Sequence, residues 1–531
     1  MIEDQLLLII GLLLCVSMLS MLSEKLRIPY PIFLVVAGLL ISLVPGVPAV
    51  KLDPDFVFLI FLPPLLYAAA WNTSWHDFRA AKRPIMLLAF GLVIFTAGTV
   101  AFISHAMIPD FSLALGFLLG GIISPPDAVA ATSVMQKMNL PKRVVTILEG
   151  ESLVNDASSL IVFRFALAAT LTGQFVFWEA AGDFFLVVIM GIVTGLAIAH
   201  IVYALHRFLP TTPSIDTAIT LITPYFMYIT AEHFHFSGVL AVVSGGLFLT
   251  FRSQDIFSYD TRLQAISVWQ TLVFLLNGIV FILIGLQLPE IINGLGNYSV
   301  TEAITYAVII SLAIIFIRLI WIYPGAYIPR FLFKSIRENE ANPGWRLVFI
   351  TGWSGMRGVV SLASALAVPL TLDDDITAFP HRNLILFITF VVILFTLVLQ
   401  GLSLPWVIRI LKIESTESPE QQEKEIRYKL AVAVLEHIVN NYAQETENIE
   451  AYKRVKERYE RMVAITEKML NDAEAKEEAP SFLPDYYKML YEMIEVRRKK
   501  LKEMRRNKLY SEELLREKER ELDLEEARIR K

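Results

Sequence analysis

The stretch Glu149-Gly-Glu-Ser-Leu-Val-Asn-Asp156 lies inside an apolar run, residues 143–170, that is long enough to cross a bilayer. It places three carboxylates and an amide in a segment that otherwise suits a hydrocarbon environment. An ionised carboxylate at the centre of a membrane helix costs about 3 kcal/mol on insertion scales, so such groups are rarely present for stability alone. The stretch therefore predicts a site within the membrane that binds and releases a cation or a proton.

The composition of the whole chain agrees with a membrane location. Of the 531 residues, 55% are hydrophobic and 19% are charged, and the mean hydropathy is +0.55. These values exclude an ordinary soluble domain and predict a polytopic membrane protein. The net charge of −5 gives no reason to expect nucleic acid as a partner, and the single cysteine, Cys15, excludes an intramolecular disulfide. Because no glycine-rich phosphate loop is visible, no cofactor is expected.

Apolar runs of membrane-crossing length predict an all-α protein with about thirteen transmembrane helices. They lie at residues 5–23, 30–47, 53–71, 84–105, 111–135, 143–170, 180–206, 214–232, 236–252, 265–287, 301–327, 346–371 and 383–408. Basic residues fall almost entirely in alternate loops, so the positive-inside rule places the N-terminus outside and the region after Lys412 in the cytoplasm. The sequence thus predicts a multi-pass protein of the cell membrane that is surrounded by lipid.

The charged residues divide the chain into two regions. More than half of them follow residue 413, which predicts a transmembrane domain at 1–413 and a charged cytoplasmic tail at 414–531. Apolar positions three and four apart predict helix throughout the tail, with one interruption near Pro480 to Pro484. We interpret the tail as regulatory. A solvated face is the simpler role for its last helix, and binding of a ligand or a partner protein is the alternative.

Two of the predicted membrane helices are interrupted. Residues 123–128, Ile-Ser-Pro-Pro-Asp-Ala, contain two prolines that remove amide donors, and residues 352–358, Gly-Trp-Ser-Gly-Met-Arg-Gly, contain three glycines. The breaks are seven spans apart, so the two segments run in opposite directions, as in the inverted repeats of secondary transporters. In those proteins, paired broken helices form the ion site. For either break alone, a simple kink is the alternative.

The helical period separates the roles of the carboxylates in span six. Glu151 and Asp156 are five residues apart, about 140° round the helix, so we expect them to have different functions. Asp156 is predicted to exchange a proton for a monovalent cation, with Asn155 and Ser152 as neutral helpers. Asp127, directly after the first break, is predicted either to orient Asp156 or to cap the amides of the second half-helix.

Glu151 is predicted to form a structural ion pair with an arginine inside another span. Arg318 and Arg357 are the two candidates, because a lone charge in a helix bundle is expensive and a pair is tolerable. Arg164 is also inside a span, but it is close enough to the outer surface for its side chain to reach water, so we leave it out of the site.

Four motifs in this order and spacing resemble the monovalent cation/proton antiporter-1 family, the bacterial relatives of animal sodium/proton exchangers. They are Phe-Leu-Pro-Pro-Leu-Leu-Tyr at 61–67, Ser-Pro-Pro-Asp at 124–127, Glu-Gly-Glu-Ser-Leu-Val-Asn-Asp at 149–156 and Gly-Met-Arg-Gly at 355–358. The resemblance covers about residues 5–410. The sequence departs from some members at two positions, with Pro126 in place of a threonine and Ala68 in place of an acid.

The resemblance implies a homodimer in a bacterial inner membrane, with a dimerisation domain and a core domain that move relative to each other. It also implies that the pair Asn155-Asp156 marks electroneutral exchange of one sodium or similar ion for one proton, serving pH and sodium homeostasis. Potassium in place of sodium is the first alternative. A cation channel would use the same acids, although no potassium-filter sequence is present. An intramembrane aspartyl protease would also need two aspartates, but Asp127 and Asp156 lack that chemistry's flanking motifs.

Overall fold

The computed structural model of the chain is helical, as the hydropathy predicts. It describes residues 2–26, 28–44, 58–135, 138, 140–173, 177–296, 298–340, 342–372, 377–413, 419–471, 483–506 and 512–529. Within those ranges there is no named β-strand, and one isolated bridge joins Thr371 to Ala378. The chain forms two compact units, residues 1–415 and 416–531.

The first half of the membrane unit contains eleven described helices. They are α1 (Ile2–Leu26), α2 (Tyr30–Ser42), α3 (Leu62–Asn72), α4 (Trp75–Ala80), α5 (Lys82–Met107), α6 (Leu113–Ile123), α7 (Ala128–Met135), α8 (Lys142–Thr172), α9 (Phe177–Phe208), α10 (Pro213–His233) and α11 (Gly238–Ile256). A π-helical segment, Leu87–Leu92, lies within α5. The short loop predicted between spans eight and nine is present, because α10 ends at His233 and His235 adopts a positive φ of 60°.

The second half of the unit continues with seven described helices. They are α12 (Tyr259–Leu286), α13 (Leu288–Asn293), α14 (Val300–Leu332), α15 (Lys334–Asn339), α16 (Trp345–Trp353), α17 (Val359–Leu366) and α18 (Arg382–Ile410). Among the described residues, eight helical segments are long and apolar enough to cross a membrane, and two shorter apolar helices accompany them. The fold class is therefore confirmed, whereas the count of thirteen crossings stays a prediction.

Close helix contacts in the membrane unit depend on small residues. A Cβ atom at Gly195 of α9 would lie 2.1 Å from the carbonyl oxygen of Ala241 in α11, and one at Gly120 of α6 would lie 2.6 Å from that of Ala97 in α5. Inside a bilayer, water provides little drive to bury apolar side chains, so helices gain contact by letting their backbones approach closely. These contacts hold the helices that carry the polar residues in fixed positions.

The tail unit has five described helices. They are α19 (Pro419–Asn441), α20 (Ala443–Asn448), α21 (Glu450–Asn471), α22 (Leu483–Arg506) and α23 (Glu512–Ile529). The prediction of a single interruption is wrong, because helices also end near Tyr442 and Ile449. Residues 472–482, which include Pro480, lie outside the described residues.

Candidate cation site

The first predicted break is present and is held by side chains of the residues around it. Helix α6 ends at Ile123, α7 begins at Ala128, and the four residues between them are not helical. The backbone N–H of Val129 donates to Asp127 Oδ1 at 2.8 Å, and the N–H of Ala128 donates to Ser152 Oγ at 3.2 Å. A helix start leaves amide donors without partners, and these two oxygens accept from two of them. Of the two predicted geometries for Asp127, capping is therefore the one observed.

The second predicted break lies against the first. Helix α16 ends at Trp353 and α17 begins at Val359. The backbone N–H of Asp127 donates to the carbonyl oxygen of Met356 at 2.7 Å, which joins the two irregular segments directly. A Cβ atom at Gly358 would lie 1.9 Å from Asp127 Oδ2, so only glycine allows this approach.

Arg357 bonds the ends of the broken segments. Its Nε donates to the carbonyl oxygen of Ile123 at 2.9 Å, and its backbone N–H donates to Thr396 Oγ1 at 3.1 Å. A guanidinium at the C-terminal end of α6 is favourable because carbonyl oxygens there lack helical partners and carry partial negative charge. The Arg357 side chain thus bonds backbone carbonyls, whereas Arg318 bonds the Glu151 carboxylate.

Glu151 and Arg318 form a bidentate ion pair inside the protein. The distances are 2.5 Å from Nη1 to Oε1 and 2.7 Å from Nη2 to Oε2, and the two side chains are 1% and 0% exposed. Arg318 also donates to the carbonyl oxygens of Gly352 and Thr351 at the end of α16, at 3.1 and 3.2 Å. The fork geometry of the guanidinium satisfies a carboxylate and two backbone carbonyls together. The charge of Glu151 is therefore balanced locally.

Asp156 has different surroundings, although it lies on the same helix as Glu151. It lines a cavity of about 490 Å³ and is 8% exposed. No ion pair reaches Asp156 within the described part of the chain. Asp127 and Ser152 line the same cavity, so the structure brings three of the four predicted cation-site residues to one wall.

Asn155, the fourth predicted residue, is fully buried and is not among the described residues that line the cavity. Its Nδ2 donates to the carbonyl oxygen of Pro126 at 3.1 Å, so the amide ties α8 to the first break. Its Oδ1 is buried, with no hydrogen-bond partner in the described residues. This bond adds to those of Asp127, Ala128 and Arg357 in holding a segment in which two prolines remove amide donors.

The cavity wall contains polar residues that sequence reasoning missed. Glu149 lies seven residues before Asp156 and therefore on the same face of α8, and Asn72 and Asn277 contribute amides from α3 and α12. The i, i+7 spacing was a signal for Glu149. Asn277, 2% exposed within an apolar span, was detectable by the rule that polar groups inside membrane helices have a function. Ala68, a departure from the family pattern, lines the cavity one turn before Asn72.

All the described charged residues that line this cavity are acidic. Glu149, Asp127 and Asp156 line it, and no lysine or arginine is found among its described lining residues. Carboxylate, hydroxyl and amide oxygens are the ligands that hard monovalent and divalent cations prefer. No group of three or more His, Cys, Asp or Glu side chains placed to hold a metal ion occurs in the described ranges.

Two broken helices whose interrupted segments contact each other beside an acidic cavity define a class, that of membrane transporters built on discontinuous helices. Comparison with known proteins identifies a family within this class. The chain belongs to the sodium/hydrogen exchanger family, because the family model described as "Sodium/hydrogen exchanger, transmembrane" matches residues 10–410. The family resemblance stated from the four motifs is thereby confirmed.

Relatives and solved structures support the assignment. The chain is 34% identical over 390 residues to a "Sodium, potassium, lithium and rubidium/H(+) antiporter" of Bacillus pumilus, covering 71% of this chain and 57% of that relative, which is less than two thirds of its length. It is 30% identical over 529 residues to an "Uncharacterized Na(+)/H(+) exchanger" of Mycobacterium tuberculosis, covering 98% and 95%, and that match includes the tail. The structure of the sodium proton antiporter MjNhaP1 from Methanocaldococcus jannaschii has the same fold, with a TM-score of 0.60 at 20% identity over 76% of this chain and 99% of that one.

Proposed function

We propose that the protein is a secondary antiporter that exchanges sodium, or another monovalent cation, for protons across the cell membrane. One observation carries the proposal: a cavity lined by three carboxylates and no described basic residue lies against two broken helices whose interrupted segments contact each other. A carboxylate that binds either a proton or a cation, but not both, couples the two without ATP. The printed names of the relatives support this reaction, and the range of ions in the Bacillus pumilus name keeps potassium as an alternative.

Asp156 is the exchanging group in this proposal. Glu151 is already paired with Arg318, and Asp127 has one oxygen bonded to the amide of Val129. Two cavity carboxylates, Glu149 and Asp156, have no described side-chain bond, and Asp156 is the buried one of the two. Ser152 and Asp127 would supply further oxygens to the cation. Asn155 would act by fixing the first break through Pro126.

Exchange should be electroneutral, since one carboxylate that alternates between one proton and one monovalent cation moves no net charge. The cavity would open alternately to the two sides of the membrane. We further propose that the N-terminus is outside, that the tail at 414–531 is cytoplasmic and regulates the response to pH or cation, and that the protein is a homodimer in a lipid bilayer.

The test is transport by purified protein in liposomes, with a pH-sensitive dye inside and a gradient of sodium, potassium or lithium outside. We expect proton efflux on addition of the preferred cation, and a steady state that does not change when valinomycin and potassium impose a membrane potential in the sodium assay. Cation flux with no proton movement would instead indicate a channel. A steady state that follows the potential would show that a second charge moves.

Removing residues 414–531 tests the tail separately. We expect the shortened protein to retain exchange and to change the pH or the cation concentration of half-maximal rate. Identical profiles for the two proteins would contradict a regulatory role.

A further inference from the structure

A second cleft, separate from the acidic cavity, lies between α5, α8, α14 and α16. Its volume is about 80 Å³, and its wall is mostly apolar, with Leu87, Val144, Ile147, Ile322 and Val348 among the lining residues. The four helices belong to the group that carries the Glu151–Arg318 pair and the first half of the second break. An apolar cleft between membrane helices is suited to an apolar chain.

Three guanidinium groups converge at the polar end of this cleft. Arg83 and Arg143 approach Glu340 Oε2 at 3.2 and 3.5 Å, and Arg330 donates to the backbone carbonyl oxygen of Glu340 at 2.6 Å. All four residues line the cleft, and Glu340 is the single acid among its described lining residues. The described lining residues of this cleft thus include three guanidiniums and one carboxylate.

The hydrogen bonds of Arg83 also indicate that this end of the cleft can accept an anionic ligand. Nη1 of Arg83 is buried and has no hydrogen-bond partner in the described residues, although Nη2 of the same side chain reaches Glu340. A buried donor without an acceptor is destabilising, so an acceptor supplied by a ligand would be stabilising. Phosphate oxygens are well matched to the planar fork of arginine.

We propose that this cleft binds an anionic phospholipid, with the phosphate of the headgroup at Arg83, Arg143 and Arg330 and the start of an acyl chain along the apolar wall. A free phosphate compound would use the arginines but gain nothing from the apolar residues. The arginines flank spans four, six and eleven at the side that the loop charges assign to the cytoplasm, where a headgroup of the inner leaflet is within reach.

Occupancy of the cleft has a direct connection to the cation site. Thr351 lines the cleft, and its carbonyl oxygen accepts from Arg318 Nη2, the atom that also bonds Glu151. A bound lipid would therefore contact α16 at a residue that Arg318 itself bonds, two residues before the helix ends at Trp353. We expect anionic lipid to increase the exchange rate, and this consequence, unlike the binding itself, rests on the proposed function.

The binding test uses the full-length protein in neutral detergent and measures its melting temperature with added phosphatidylglycerol or phosphatidylcholine. We expect a rise of a few degrees with phosphatidylglycerol and a clearly smaller one with phosphatidylcholine, because a ligand that binds only the folded state stabilises it. Arg83→Gln should lose at least half of the difference between the lipids. Arg252→Gln, which removes an exposed charge on the same predicted side, should keep it.

A second variant separates loss of the site from loss of folding. Ala326→Phe adds bulk to the cleft wall without changing any charge, and it too should abolish the preference for phosphatidylglycerol. Three results would each overturn the proposal. They are equal stabilisation by the two lipids, an unchanged preference for phosphatidylglycerol in both cleft variants, and an equal rise in melting temperature with inorganic phosphate alone. Exchange in liposomes with and without phosphatidylglycerol then tests the consequence, and a protein that binds the lipid yet transports nothing would contradict the proposed function alone.

Discussion

Two carboxylates on α8 have contrasting surroundings, because one is enclosed in an ion pair and the other faces a cavity. Glu151 is enclosed and accepts two bonds from Arg318, whereas Asp156, five residues later, faces a cavity and has no described ion pair. Their chemistry is nearly identical, and the difference comes from the neighbouring helices that each face meets. A carboxylate that is paired with a fixed arginine is not available to bind another cation. A carboxylate that faces a cavity can bind a cation or a proton from solution.

The largest effect expected from this comparison is at Asp156. Asp156→Asn removes the exchanging charge with almost no change in volume, so exchange should be lost while the melting temperature stays close to that of the unmodified protein. Asp183→Asn, at an exposed position on α9, is the matched control and should transport normally. Normal exchange by a well-folded Asp156→Asn protein would remove the basis of the mechanism.

Arg318 should dominate stability on the other face of α8. Arg318→Ala leaves a buried carboxylate and two carbonyl oxygens without donors, and we expect a loss of about 3–5 kcal/mol in the free energy of unfolding. Arg164→Ala is the control, because the pair of Arg164 with Glu232 has side chains that are 44% and 28% exposed, and it should cost about 0–1 kcal/mol. Thermal melts in detergent provide the comparison. Similar losses in the two variants would mean that the enclosed pair is not structural.

Asp127 combines features of the two carboxylates, since it caps α7 and also lines the cavity. Asp127→Asn separates these features, because asparagine caps a helix about as well as aspartate does. We expect the variant to fold and to show a raised KM for the cation, with transport rates measured over a range of cation concentrations. An unchanged KM and rate would restrict Asp127 to capping.

The smallest effect is expected outside the membrane, where Lys142 bonds Asp77 at 2.7 Å and lowers the pKa of that carboxyl below its ordinary value of 3.8. A lowered pKa in the folded protein gives stability that is present above pH 3.8 and is lost as the pH falls through the folded value. Because the Lys142 side chain is 78% exposed, Lys142→Gln should cost less than about 1 kcal/mol at neutral pH. The difference in melting temperature between the two proteins should be full at pH 7 and should become smaller as the pH falls below 3.8.

Much of the arrangement could be predicted from local sequence, and the parts that could not depend on distant residues. The prolines at 125 and 126 and the glycines around Arg357 are local signals, and both breaks lie where those signals are. The choice between Arg318 and Arg357 for Glu151 was open because a contact across 167 positions is decided by how helices pack.

The missed residues have a similar explanation. Hydropathy predicts that α3 and α12 are spans, but it does not predict how each helix is rotated about its axis. That rotation brings Asn72 and Asn277 to the cavity. In the tail, the helix ends near Tyr442 and Ile449 lack a proline or glycine signal and were not predicted. The apolar spacing there continues through both positions.

The hydrogen bond from the Asp127 amide to the Met356 carbonyl has a mechanical consequence. Together with the bond from Arg357 to Ile123, it fastens two segments that are far apart in the chain to each other, so neither half-helix can shift alone without breaking buried bonds. We therefore expect the four half-helices, α6, α7, α16 and α17, to move together. If Asp156 becomes exposed to the opposite side, we expect the motion to occur between this group and α3 and α12, which also line the cavity.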